Sequence, residues 1–293
     1  MNHAADRTTQ DVRNVTSVLN SKEHKKGLSE LVLSVTSVSR RYPWLARVTG
    51  HVADITDTTA WEHPNLAVRL SIPDPGDDIG ALTGQPDMCR RVYTIAEFDQ
   101  RSSTVAIDIV VHGSDSPMMC WLRDLVPGDR VAFAGPRPHP APSGRADGQR
   151  IHLLADGSAY PAASAIARAV PVDTVTLALP DAGAADRYAG DFPGATLRFV
   201  DSSSPTPLAD VVGSLPANGS TVFWAAGERE DIRGVRHHCL RTLRLPKEQV
   251  QVFGYWRRGR TGTQADLARL RAAAAYQAEG RSFSEADDFD IDI

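Results

Sequence analysis

Apolar and polar positions alternate with period two from Leu31 onward. Leu31, Leu33 and Val35 alternate with polar or small residues, and Leu66, Val68, Leu70 and Ile72 alternate with Ala67, Arg69 and Ser71. Val105, Ile107, Ile109 and Val111 do the same against Ala106, Asp108 and Val110. An extended chain turns successive side chains to opposite faces, so each run predicts a strand with one face in a core. Turn clusters over 73–78 and at Pro127-Gly128-Asp129 stop helices and reverse the chain. Several short strands with little helix predict a small antiparallel barrel whose last strand is 130–135. The proline-rich run from Pro136 to Pro142 reads as a connector or flexible loop.

The second half follows a different pattern. Buried-strand candidates at 151–155, 172–179, 195–200, 221–226 and 249–256 are separated by helical segments: an Ala-rich one to about Ala169, a short one after Thr206-Pro207, and one from Arg229 to about Leu243. Strands alternating with helices predict a parallel sheet covered on both faces, with ligands bound at the carboxyl ends of its strands. Thr263 with Asp266 forms a capping-box pattern ahead of a last helix reaching about Glu279, expected to dock on the body or over a cofactor cleft. The predicted organisation is a polar leader (1–27), a barrel domain (28–142), an open parallel-sheet α/β domain (143–260), and a C-terminal helix with an acidic, disordered tail (261–293).

With 293 residues, 42% apolar and 23% charged, the chain has the size and composition of two ordinary globular domains. It shows neither an apolar run of membrane-spanning length nor a basic-then-apolar N-terminus, which predicts a cytoplasmic protein that does not contact membrane. Cys89, Cys120 and Cys239 are too few and too scattered for a disulfide framework or a thiolate metal site. A net charge of −4 argues against a nucleic-acid partner, despite a basic cluster in the C-terminal third. His237 and His238 lie in that cluster, but adjacent residues diverge by about a hundred degrees on a helix, so no metal site is expected there.

The most informative stretch is Arg90-Arg91-Val92-Tyr93-Thr94, which sets a guanidinium, an aromatic ring and a hydroxyl on one strand. Arg91 and Tyr93 share a face, and Thr94 points the other way. Alone, four such positions describe a half-exposed strand; together they also suit a flavin, whose phosphate an arginine can pair and whose ring a hydroxyl can bond.

This segment resembles the Arg-x-Tyr-Thr flavin strand of the siderophore-interacting proteins, or ferric-siderophore reductases, of ferredoxin-reductase-like architecture. Three further segments carry the resemblance in the right order over roughly Glu30 to Gly259. One is Ile107 to Gly113 with His112, followed by Ser116-Pro117, Trp121, Pro127-Gly128-Asp129 and Gly135-Pro136. The next is Asp156-Gly157-Ser158-Ala159-Tyr160-Pro161-Ala162, similar to the family's Asp-Glu-Thr-Ala-Leu-Pro-Ala. The last pairs Trp224 to Glu228 with Gly254-Tyr255-Trp256-Arg257-Arg258-Gly259. The chain departs from the pattern at Gly157, Ser158 and Tyr160, and Ala96 stands where an arginine often follows the flavin strand.

The resemblance implies a cytoplasmic enzyme that uses FAD to reduce a ferric siderophore, with NADH, NADPH or a reduced ferredoxin as donor. No Gly-x-Gly-x-x-Gly marks a nicotinamide site in the α/β half. The implied FAD contacts are Arg91, Tyr93, Thr94, His112, Gly113, Ser116, Met118, Met119, Asp156, Ser158 and Trp256, with Arg257 and Arg258 facing the siderophore and no metal ligands. Two of these positions have a plainer reading: His112 as a hydrogen-bonded strand-end histidine and Ser158 as a helix N-cap. Tyr255 is expected in the core and Arg260 on a solvated face. A flavin reductase serving another acceptor, or a non-catalytic siderophore- or flavin-binding protein, are the alternatives the sequence leaves open.

Overall fold

A computed structural model describes residues 29–280 apart from 54, 56–57, 76–86, 114–115, 145–147 and 181–184. The predicted leader, the acidic tail and residues 76–78 of the turn cluster lie outside the described residues. Strands β1 (Ser29–Tyr42), β2 (Leu45–Val52), β3 (Leu66–Pro73), β4 (Met88–Asp99), β5 (Thr104–Val110) and β6 (Arg130–Pro138) close an antiparallel barrel in the order β1-β2-β5-β4-β3-β6. Helix α1 (Pro117–Asp124) lies between β5 and β6. The alternating residues meet inside, where Leu33, Val68, Ile72, Ile107 and Phe133 form the barrel core.

The sequence predicts one buried face for β5, but both are covered. Asp108, 2% exposed, receives Arg47 Nε at 2.7 Å and Nη2 at 2.9 Å, with Arg41 Nη1 at 3.1 Å. A carboxylate is tolerated there because two guanidinium groups satisfy it. The strand extends past the expected end at 135 to Pro138, so the proline run begins inside β6, and its remainder is pinned rather than flexible. The Pro140 carbonyl accepts from Asn65 Nδ2 and Trp224 Nε1, each at 3.1 Å.

The second half is β7 (Ile151–Asp156), α2 (Tyr160–Ala169), β8 (Thr174–Leu179), α3 (Ala185–Tyr188), β9 (Thr196–Asp201), α4 (Pro207–Val212), β10 (Val222–Glu228), α5 (Arg229–His237) and β11 (Val250–Trp256), followed by α6 (Gly262–Ala278). A π-helical turn, His238–Thr242, continues α5. The sheet is parallel, in the order β11-β10-β7-β8-β9. The strand order therefore reverses between β7 and β10, and that crevice is where such sheets take ligands. Among the described residues no helix is long and apolar enough to cross a membrane.

Barrel and sheet share a core. Tyr42, Trp44 and Leu45, at the β1–β2 turn, pack with Tyr160, Ile166, Tyr188 and Phe192. The Trp44 ring meets Tyr160 edge-on at 5.2 Å, and its Nε1 donates to the Tyr188 hydroxyl at 3.1 Å. Asp191 ties this junction by accepting from the Tyr42 hydroxyl at 2.8 Å, from the Tyr160 hydroxyl and from Arg41. Burial, reinforced by the Asp191 carboxylate, pushes the Tyr160 phenol well above the usual range, so it stays a donor.

The start of α4 is held from elsewhere in the chain. Thr206 makes no capping bond to α4. Instead Asp231 Oδ1 accepts the N–H groups of Leu208 at 3.1 Å and Ala209 at 2.8 Å.

Replacing Asp191 by leucine takes the shared acceptor from two buried phenols and one of two carboxylate partners from Arg41, which keeps Asp108, and is expected to lower the urea-unfolding free energy by roughly 3 kcal/mol; a loss below about 1 kcal/mol, the size of a surface ion pair, would show that another contact joins the halves. Burial, with the Asp156 and Glu228 carboxylates adding to it, pushes Asp231 up to about 6 against its two backbone N–H bonds. Between an unfolded value of about 4 and that folded value, the unfolded chain has released a proton that the native state keeps. Stability therefore falls as pH rises through this window, by roughly 3 kcal/mol, and levels off above it. Asp231→Asn keeps the Oδ1 acceptor and is expected to flatten this slope in unfolding curves; an unchanged slope would place the titration on another group.

Candidate functional site

β7 ends on Asp156, and its carboxylate collects five donors at the carboxyl edge of the sheet. Oδ1 accepts from the Ser158 N–H at 2.8 Å, the Ser158 hydroxyl at 2.5 Å and the Ala159 N–H at 3.2 Å. Oδ2 accepts from the Glu228 N–H at 2.9 Å and Trp256 Nε1 at 2.7 Å. Burial pushes this carboxyl above its ordinary range, and the donors oppose the shift. The fit excludes a side chain opposite: a Cβ on Gly227, whose φ is +154°, would lie 2.7 Å from Asp156 Cγ. Ser158, which in sequence reads as a helix cap, gives its hydroxyl to Asp156, and the residue at the α2 cap position, Ala159, makes no side-chain bond.

Glu228 extends the network across β10 and β11. Its Oε2 caps α5 by accepting the N–H groups of Glu230 at 2.8 Å and Asp231 at 3.1 Å, and its Oε1 accepts the Arg258 N–H at 3.1 Å. Trp256 is thereby fixed by its N–H while its ring stays 42% exposed. Beside it Arg257 is half-buried, with Nη2 3.9 Å from Glu230 Oε1, and Arg258 and Arg260 are exposed. Tyr255 packs against the shared core, as expected.

On the barrel side, Arg91 is held by the C-terminal helix. Its Nη2 donates to Thr263 Oγ1 at 2.8 Å and lies 3.4 Å from Asp74 Oδ2, and its Nη1 donates to the Arg90 carbonyl at 3.2 Å. The capping box of α6 is not Thr263 with Asp266. It is Thr261 with Gln264, whose reciprocal bonds are 3.2 and 3.0 Å. Thr263 meets Arg91 instead, and Asp266 meets Arg269 at 3.3 Å. Arg269 Nη2 also donates to the Gly254 carbonyl at 3.2 Å, so α6 ties β4 of the barrel to β11 of the sheet. The Tyr93 ring packs against the barrel core, and burial raises its phenol. Thr94 is buried, and its hydroxyl finds no partner among the described residues.

His112 and Gly113 follow β5 and are exposed. Gly113 has φ +59° with open space where a side chain would stand. Ser116 caps α1 by accepting the Met119 N–H at 3.3 Å. Met118 and Met119 bury their side chains in the barrel core, so neither offers a side chain to a cofactor; a helix-start motif cannot separate the backbone's role from the side chain's. Pro117 has no N–H and those of Met119 and Cys120 bond to Ser116, so among the described residues the Met118 N–H has no acceptor and could bind an anion. Trp44 joins this loop to the sheet edge. Its carbonyl accepts the Val111 N–H at 2.8 Å, and its ring lies 3.7 Å from where a Cβ on Gly157 would be.

The residues present fit an FAD: a guanidinium and a helix-start N–H suit a diphosphate, the unpartnered Thr94 hydroxyl suits the ring's polar edge, and the exposed Trp256 face suits a planar ring. Sequence reasoning singled out Arg91, Thr94, Asp156 and Trp256. It missed Trp44 and Arg269 altogether, took Thr263 as half of a capping box, and took Glu228 only as the end of a strand and of a motif segment. A carboxylate standing between a buried strand and a helical pattern was the available signal for Glu228.

Two sequence profiles match: a siderophore-interacting FAD-binding domain over residues 34–139 and a siderophore-interacting protein domain over 148–259. Ferric acinetobactin reductase of Acinetobacter baumannii is 28% identical, with 94% of each chain covered. The mycobactin import ATP-binding/permease protein IrtA of Mycolicibacterium smegmatis is 25% identical over 70% of this chain, which spans only 23% of that longer protein. The solved siderophore-interacting protein of Acinetobacter baumannii superimposes with a TM-score of 0.73 at 25% identity, covering 86% of this chain and all of that one. With both profiles matched in order over the barrel and the sheet, the chain belongs to the siderophore-interacting protein family and is a flavin-dependent oxidoreductase whose cofactor is FAD.

Proposed function

We propose that the protein reduces the iron of a ferric siderophore and releases Fe(II) in the cytoplasm, with Arg91, Thr94, the Met118 N–H and Trp256 holding FAD and Arg257 and Arg258 holding the siderophore. The observation that carries this reading is Trp256: an exposed indole pinned through its N–H by Asp156, with Arg257 and Arg258 next in the chain. A bulky anionic chelate needs an open edge with positive charge beside the redox centre, and this edge has both. The name of the Acinetobacter baumannii relative, a ferric acinetobactin reductase, points to the same chemistry.

Each group has a part in the reaction. Arg91, oriented by Thr263, and the Met118 N–H bind the cofactor's diphosphate. Thr94 directs its hydroxyl to the ring, and the open left-handed Gly113 admits the cofactor close to the backbone. When bound, FAD supplies electrons singly to an acceptor. Arg257 and Arg258 attract the chelate and orient its anionic oxygens. One electron converts Fe(III) to Fe(II), whose lower charge density suits hard oxygen donors less, so the complex loosens.

Two experiments test this. Purified protein is expected to show flavin absorbance that bleaches on chemical reduction under nitrogen and returns when a ferric hydroxamate or catecholate is added; a colourless protein that takes up no FAD would defeat the reading. Arg257→Ala with Arg258→Ala is expected to raise KM for the ferric chelate about tenfold, a loss of one to two charge-assisted hydrogen bonds, with kcat changed much less. An unaltered KM would move the chelate site elsewhere.

A further inference from the structure

The basic stretch of the C-terminal third takes no part in the chemistry proposed above. α5 starts at the carboxyl edge of the sheet and runs back toward the amino ends of the strands, where β11 begins. Arg233 and Arg236 stand three apart on one face of the helix, and Leu240 and Arg241 follow on its π-helical turn. Beyond the turn the chain doubles back. Arg244 has a φ of +55°, in the left-handed region that few side-chain-bearing residues enter, and the Leu245 N–H donates to the Cys239 carbonyl at 3.1 Å. This return brings Pro246 and Lys247 beside the helix. A cavity of about 600 Å³ lies between them, with Arg233, Arg236, Leu240, Arg241, Pro246 and Lys247 in its lining.

The charge around this cavity is one-sided. Three guanidinium groups and an ammonium line it, and among the described residues no carboxylate does. Glu230 pairs with Arg233 at 3.3 Å and with Arg257 at 3.9 Å from outside the lining. Cations near a helix end offset the helix dipole, but they do so equally well when spread into solvent. Four gathered around one space repel one another, and an anion placed among them relieves that repulsion.

Volume and charge together narrow the ligand. The cavity falls within the range of small-molecule sites, roughly 300–1,000 Å³. Phosphate oxygens match the planar fork of arginine, two N–H groups at a time. One phosphate group carries at most about two negative charges, so a chain of phosphates suits four cations better than a single one. Leu240 and Pro246 add an apolar wall, and a guanidinium plane stacks on a base, so the far end of the ligand can be a nucleoside. The net charge of −4 disfavours a nucleic acid, whose phosphates extend well past one cavity.

We propose that this cavity binds a nucleoside triphosphate, with its phosphates on Arg233, Arg236, Arg241 and Lys247 and its base against Leu240 and Pro246. The site uses none of the residues assigned to FAD or to the ferric chelate, and it stands whether or not the reductase reading does.

The test is calorimetric titration of the FAD-loaded full chain with ATP, tripolyphosphate, AMP, inorganic phosphate and a DNA duplex. ATP is expected to bind one to one, about tenfold or more tighter than any of the others, and to raise the unfolding midpoint by several degrees at saturation. Its affinity is expected to fall at least about fivefold when NaCl is raised from about 0.05 to about 0.5 M. Arg236→Gln with Arg241→Gln is expected to weaken ATP binding about thirtyfold, a loss of charge-assisted hydrogen bonds from two groups. Arg236→Lys with Arg241→Lys is expected to keep it within about tenfold of the parent. Lys247→Gln, at an exposed position outside α5, is expected to cost about fivefold. Flavin absorbance and the rate of ferric-chelate reduction are expected to stay unchanged in all three. ATP binding no tighter than tripolyphosphate or phosphate, an affinity unaltered in the glutamine variants, or tighter binding of the duplex would each overturn the proposal.

Discussion

The site depends on one buried carboxylate. Asp156 receives donors from its own turn, from the end of β10 and from the side chain that ends β11, so one group sets the mutual position of three chain segments. Each donor would otherwise be an unsatisfied polar group near a core, at about 1–3 kcal/mol apiece. That constraint is why glycine stands at 227, one residue before the end of β10, where any Cβ would strike the carboxylate. It also keeps the ring of Trp256 at the surface, since the N–H that would allow it to swing inward is already bonded.

The barrel is joined to this edge by contacts of a different kind. Trp44 touches the Asp156 turn through its ring and the His112 loop through its carbonyl, and it stands in the aromatic cluster that Asp191 locks. On the other side, Arg168 of α2 donates to the Ala96 carbonyl at 2.5 Å, two residues beyond Thr94. Ala96 replaces the arginine that often follows the flavin strand, and in this chain a sheet-domain arginine bonds to its backbone. The flavin strand is thus held by the neighbouring domain and by α6, which fixes its orientation without depending on the barrel alone.

Much of the architecture was legible because it rests on local periodicity. The alternating runs gave the barrel strands and the apolar strands between helices gave the parallel sheet; both follow from where side chains point on an extended chain. What was hidden depends on partners distant in sequence. Asp108 looked solvent-facing because Arg41 and Arg47 cannot be placed opposite it from spacing alone. The capping box of α6 was read two residues late because Thr261 and Thr263 both fit the pattern, and only the docked helix shows that Thr263 is taken by Arg91. In the candidate site, Arg91, Thr94 and Trp256 could be singled out from the segments that resemble the family's motifs. The supporting roles of Glu228, Trp44 and Arg269 could not, because each serves a backbone group rather than a ligand.

The same carboxylates that order the sheet edge also change what it can accept. A helix start is an anion site only while its N–H groups lack acceptors, and at α2, α4 and α5 the chain provides those acceptors itself. Those N–H groups are therefore satisfied within the chain and contribute to holding the sheet edge together. Positive charge is found instead on long side chains at the rim, from Arg257 and Arg258 down α5.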